Sequence, residues 1–124
     1  MTQKGTEVGT TIRQAGKIIR AACRRAQAQG YLISAFDWGI NRQDDGLAGS
    51  NDWKVCPLGA VVLGIPMPNE GDHDIWAQEQ AKLTIGYTDS DQFDFLAGVD
   101  EEVIVHSAWT RLGARIIREF SRMG

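Results

Sequence analysis

Two stretches of this sequence repeat apolar side chains at helical spacing, and they bracket the chain. Ile12, Ala15, Ile19, Ala22, Cys23 and Ala26 form the first, and Val105, Ala108, Trp109, Leu112, Ile116 and Phe120 the second. Steps of three and four place each set on one stripe of an α-helix. The first stripe follows Thr10 and Thr11, natural N-cap residues, and is closed by Gly30, a natural stop. Asp100 precedes the second, and Glu101 and Glu102 then fall in its first turn, where carboxylates offset the positive end of the macrodipole. A chain with an amphipathic helix at each end must bury both stripes against what lies between.

The segment Cys56-Pro57-Leu58-Gly59-Ala60-Val61-Val62-Leu63 is apolar on every side, and Pro57 suits the first position of a helix. It reads as a short buried central helix, with a strand as the alternative because of the β-branched pair Val61-Val62. Tyr31 to Phe36 is apolar but too short for periodicity to separate a strand from a helical turn. Asp72 or Asp74 can cap a helix running to Ile85, with Ile75, Trp76, Ala81 and Leu83 as its apolar surface and Gly86 as its stop. Ser90 or Asp89 can cap a brief helix carrying Phe93, Phe95 and Leu96, closed by Gly98. The expected fold is mainly α: about five helices in one compact domain over residues 10–124, with short strands at 31–36 as an option, after a flexible tail at 1–9. A chain of 124 residues is of ordinary single-domain size.

Residues 39–52 hold Gly39, Asn41, Asp44, Asp45, Gly46, Gly49, Ser50, Asn51 and Asp52, a density of turn formers that reads as a long loop. Asn41, Gln43, Asp45, Gly46 and Asp52 match positions 1, 3, 5, 6 and 12 of a calcium loop. The first position lacks its aspartate and the last its bidentate glutamate, so a plain polar loop is the better reading. Cys23, Cys56, His73 and His106 lack zinc-type spacing, and no metal or other cofactor is expected. Two cysteines form no disulfide framework, residues 1–9 lack an apolar signal core, and no stretch is long enough to span a bilayer. These features suggest a cytoplasmic protein with reduced thiols and no membrane partner.

Cys56 would stand at the N-cap of the central helix, where the dipole favours a thiolate. A base would have to come from His73 or His106, with Asp100 to orient it, and nothing in the sequence brings these together. Burial as a small hydrophobe is the plainer role, and the chain is read as noncatalytic. Trp38 and Trp53 flank the glycine-rich loop and, with Cys56, are the candidate ligand or partner contacts, since tryptophan is enriched in such places. The alternative is that the two indoles close the core beneath the loop.

Charge is segregated along the chain. Residues 1–36 carry six bases and one acid, residues 37–102 three bases and fourteen acids, and residues 103–124 four bases and one acid. Arg13, Lys17, Arg20 and Arg24 step by four, three and four, and Arg111, Arg115, Arg118 and Arg122 repeat those steps. Each set is one row on one helix face, clear of the apolar stripe. Such rows are solvated faces, pair with the acidic middle of their own chain, or meet an acidic surface elsewhere. If both point the same way they can track phosphates, although a pI of about 5.3 is low for a dedicated nucleic-acid binder.

Cys56-Pro57-Leu58-Gly59-Ala60, Phe95 and Gly98-Val99-Asp100, between two terminal helices, make the chain similar to small bacterial and phage proteins of unknown function. The likeness covers much of residues 10–115 and implies a helical fold, without a role to carry over. The expected function is a noncatalytic interaction protein that forms a homo-oligomer or binds a protein partner. A nucleic-acid accessory protein using the arginine rows is one alternative, and a small-molecule binder or enzyme at residues 38–56 another.

Overall fold

The structure is a computed structural model, described here for residues 11–35, 54–66, 68–101 and 104–121. It is mainly helical, in the order α1 (Ile12–Ala28), β1 (Leu32–Ile33), β2 (Lys54–Val55), α2 (Pro57–Val62), α3 (His73–Ile85), α4 (Asp89–Val99) and α5 (Ala108–Ser121). The flexible tail expected at 1–9 and the calcium-loop comparison at 41–52 lie outside the described residues.

α1 begins at Thr11, whose hydroxyl accepts from the Gln14 backbone N–H while the Gln14 side chain accepts from the Thr11 N–H. This reciprocal cap satisfies two of the orphan donors at a helix start. The helix ends at Gly30, which takes a φ of +96° that other residues avoid. Its buried face is Ala15, Gly16, Ile19, Ala22, Cys23 and Ala26, the stripe expected from spacing except that Ile12, its first member, is half-buried.

Two short strands form, β1 within the apolar run that starts at Tyr31 and β2 at Lys54–Val55. Leu32 aligns with Lys54 and Ile33 with Val55 in parallel register, and the Ser34 N–H extends the ladder to the Val55 carbonyl at 2.9 Å. Ile33 and Val55 point inward while Leu32 and Lys54 face water, the alternation of a one-sided strand. Parallel neighbours cannot be joined by a tight turn, which accounts for the long connection between them. Directly after β2, Cys56 caps α2 and every residue of that helix is buried.

The C-terminal half departs from the expected boundaries. α4 is capped by Thr88, in a reciprocal pair with Asp91, rather than by Asp89 or Ser90. It continues through Gly98 to Val99, because Gly98 is a packing residue and not a stop. α5 starts at Ala108 and not beside Asp100, since Glu101 adopts a φ of +61° that turns the chain out of the helix. Val105, expected in the buried stripe, is therefore 50% exposed, and Glu101 lies outside the first turn of α5.

α4 and α5 cross as a tight hairpin. A Cβ on Gly98 would lie 1.9 Å from the Thr110 carbonyl oxygen, and one on Gly113 would lie 2.1 Å from that of Phe95. Each glycine thus admits the partner helix backbone. The main core gathers Ile19, Leu58, Phe95, Ile116 and Phe120 from four helices, and a smaller cluster of Val62, Ala77 and Ala81 fixes α3 on α2. Among the described residues no helix is long and apolar enough to cross a membrane.

Candidate functional site

Cys56 accepts a hydrogen bond from the Gly59 N–H at 3.3 Å, so the N-cap position expected for it is occupied. It is only 1% exposed, and this takes it out of any surface ligand site. Cys23 on α1 is buried as well; both thiols are free. Burial, reinforced by the neighbouring Cys56, pushes the Cys23 thiol up to about 12. A buried thiol with a raised pKa is a poor nucleophile at neutral pH. His106 is exposed, with its ring tilted 53° against Phe93 at 5.9 Å. Asp94 bonds the Ser107 hydroxyl at 2.7 Å, and that hydroxyl also accepts from the Trp109 N–H; the serine is a helix cap and not a nucleophile. Trp38 and Trp53, the other two candidate ligand contacts, lie outside the described residues. Among those residues no group of three His, Cys, Asp or Glu could hold a metal ion.

The arginine rows are where the structure joins separate parts of the sequence. α1 and α5 lie side by side and run in the same direction. Gly16 is against Leu112, Arg20 Nε is 3.1 Å from Glu119 Oε1, and Gln27 Nε2 donates to the Phe120 carbonyl at 3.2 Å. Gly16, Arg20 and Gln27 therefore mark the edge of α1 that faces α5. With 3.6 residues per turn, Arg13, Lys17 and Arg24 fall just beyond that edge on the solvent side. On α5, Trp109, Leu112, Ile116 and Phe120 are buried, so Arg111, Arg115 and Arg118 project from the opposite, outer side. The two rows thus stand next to each other on one outer face, with the Arg20–Glu119 pair at the seam. Arg122, the last member of the second row, lies outside the described residues.

Little of this charge is neutralised from within. Among the described residues, besides Arg20–Glu119, the row members make one further approach to a carboxylate, Arg118 Nε to Glu101 Oε2 at 4.0 Å. Among the described residues Arg13, Lys17, Arg24, Arg111 and Arg115 have no carboxylate within ion-pair distance. Pairing with the described part of the acidic middle therefore does not account for the rows.

Two carboxylates of that acidic middle meet elsewhere. Lys82 on α3 holds Glu79 at 2.9 Å and Asp89 of α4 at 2.5 Å, and these two bonds raise the lysine pKa, Asp89 contributing more. Beside them Leu83 is 75% and Phe93 64% exposed. Phe95 and Gly98 of α4 face α5, so Asp89, held by Lys82 of α3, and Phe93, its ring against His106, project from the side of α4 away from α5 and the arginine rows. The spacing put Leu83 in the apolar surface of its helix and Phe93 on a brief helix with Phe95 and Leu96, without marking this edge. The signal available was the i, i+4 spacing of Glu79 with Leu83 and of Asp89 with Phe93, which puts a carboxylate beside each.

Comparison of the chain with protein-family models, with curated proteins and with solved structures gave no match.

Proposed function

We propose that this is a noncatalytic interaction protein that holds an acidic protein surface on the paired rows of α1 and α5. The observation that carries the reading is their convergence on one outer face without carboxylates from the described remainder of the chain to offset them. Arginine makes six of the seven described cations in the rows. Its planar fork suits carboxylates, and its stem can cover apolar surface at an interface. Both thiols are buried, which supports binding over chemistry at Cys56.

The test is fluorescence anisotropy with a labelled Glu/Asp-rich peptide at low salt. The wild-type protein should bind it and release it as salt rises, while Arg111→Glu with Arg115→Glu should weaken binding tenfold or more. Equal binding by both proteins counts against the reading. The same-face arrangement also favours a second reading, a nucleic-acid accessory role through phosphate contacts. Labelled duplex DNA bound more tightly than the peptide, with log affinity falling linearly with log salt, would select it.

A further inference from the structure

We propose that the acidic surface received by the arginine rows belongs to a second copy of this chain, and is the edge of α3 and α4 that carries Glu79, Leu83, Asp89 and Phe93. This rests on the reading of the rows as a protein-binding face and names the partner. Residues 70–101 hold nine acids and a single Lys or Arg, Lys82, and two of those acids, Glu79 and Asp89, stand together at Lys82 on this edge, so the chain itself supplies a patch of opposite sign. The edge is also more than acidic. Leu83 and Phe93 are among the most exposed large apolar side chains described, and each sits one helical turn from a carboxylate that Lys82 holds in place. An arginine-rich face answers all three features. Guanidinium groups meet the carboxylates, lie over the face of Phe93, and lay their stems along Leu83.

Geometry makes this contact intermolecular. Asp89 and Phe93 project from the side of α4 away from α5, whereas the rows stand on the outer side of α1 and α5, so one molecule cannot close its own edge onto its own rows. Two unlike patches meeting between copies give a heterologous, head-to-tail assembly, which closes to a ring or extends as a chain.

Sedimentation of the intact protein tests this. At low salt the mass should rise with concentration, and at about 0.5 M salt, where the Debye length is only a few ångströms, the protein should sediment as a monomer. Arg111→Glu with Arg115→Glu should be monomeric at low salt, as should Glu79→Lys with Asp89→Lys. An equimolar mixture of these two should assemble again, because each reversed patch then finds a complementary one. Arg25→Glu with Lys54→Glu, which makes the same change in net charge as the first variant at exposed positions off the rows, should assemble like the wild type. Phe93→Ala should weaken assembly several-fold without altering charge. All substituted side chains are at the surface, and matching circular dichroism and melting curves establish that the variants fold.

A wild-type protein that stays monomeric at low salt, reversal variants that still assemble, or a mixture that does not, each overturns the proposal. If that monomer still binds the acidic peptide through the rows, only the identity of the partner is lost. If the peptide binds the row-reversed variant equally well, the underlying reading fails with it. A monomer that binds duplex DNA through the rows assigns the face to nucleic acid instead.

Discussion

Gly98 and Gly113 are occupied by backbone where a side chain would begin. The atoms that a Cβ would strike belong to the carbonyl groups of Thr110 and Phe95, and neither can rotate away. Gly98→Ala or Gly113→Ala must push α4 from α5, at a cost of about 3 kcal/mol or more. A urea titration should show the loss as a lower midpoint with little change in slope. Gly30→Ala, strained only by its φ of +96°, should lose about 1 kcal/mol. Cys23 supplies a pH dependence. Its folded pKa of about 12 lies above the ordinary thiol value of 9.0, so the unfolded chain releases the proton first. Stability from this group is intact below pH 9 and declines as pH rises toward 12. Tyr87, raised chiefly by burial, acts in the same direction above its ordinary range near 10. Alkylation of Cys23 at pH 8 should therefore wait for unfolding; rapid labelling of the native protein would contradict its burial. Little of this was legible at residue level: a glycine that ends a helix and one that admits another helix are identical in sequence.

Helix starts are decided by individual polar side chains, and their legibility varied with how many candidates competed. Thr11 and Cys56 stand where spacing and proline put them, because Thr11 directly precedes the periodic stripe and Cys56 an unbroken apolar run. At α4 the competitors Thr88, Asp89 and Ser90 are adjacent, and the Thr88–Asp91 reciprocal pair wins because it satisfies two backbone donors at once. α5 was misjudged by more than a turn. The acids at 100–102 resemble a first turn, yet Ser107 makes the actual start, accepting from the Trp109 N–H at 3.1 Å while donating to Asp94 of α4 at 2.7 Å. That second bond is tertiary and leaves no local signature. Ser107→Ala should cost about 1 kcal/mol, the usual loss of a cap. Asp94→Asn, which keeps an acceptor for the hydroxyl, should lose less; thermal denaturation distinguishes the two. A larger effect from Asp94→Asn would show that charge, rather than the hydrogen bond, fixes this junction.

For the whole molecule, the sequence specified two arginine rows, but not that they would be neighbours. Identical spacing on the terminal helices fixes each row on its own helix; only the parallel packing of α1 on α5, through contacts such as Gln27 with the Phe120 carbonyl, sets them on one face. Glu79 of α3 and Asp89 of α4 meet at Lys82 on another side. Among the described residues this separates opposite charges and leaves a cationic face on a protein whose net charge is −3. Such a molecule turns toward a charged surface instead of responding to its average charge. At pH 7 and low salt it should be retained on a cation exchanger as well as on an anion exchanger, where its pI of about 5.3 alone predicts retention only on the latter. Arg111→Glu with Arg115→Glu should abolish the first retention and strengthen the second. The arginine face is therefore also a compass needle, fixing which side of the molecule arrives first at any charged boundary.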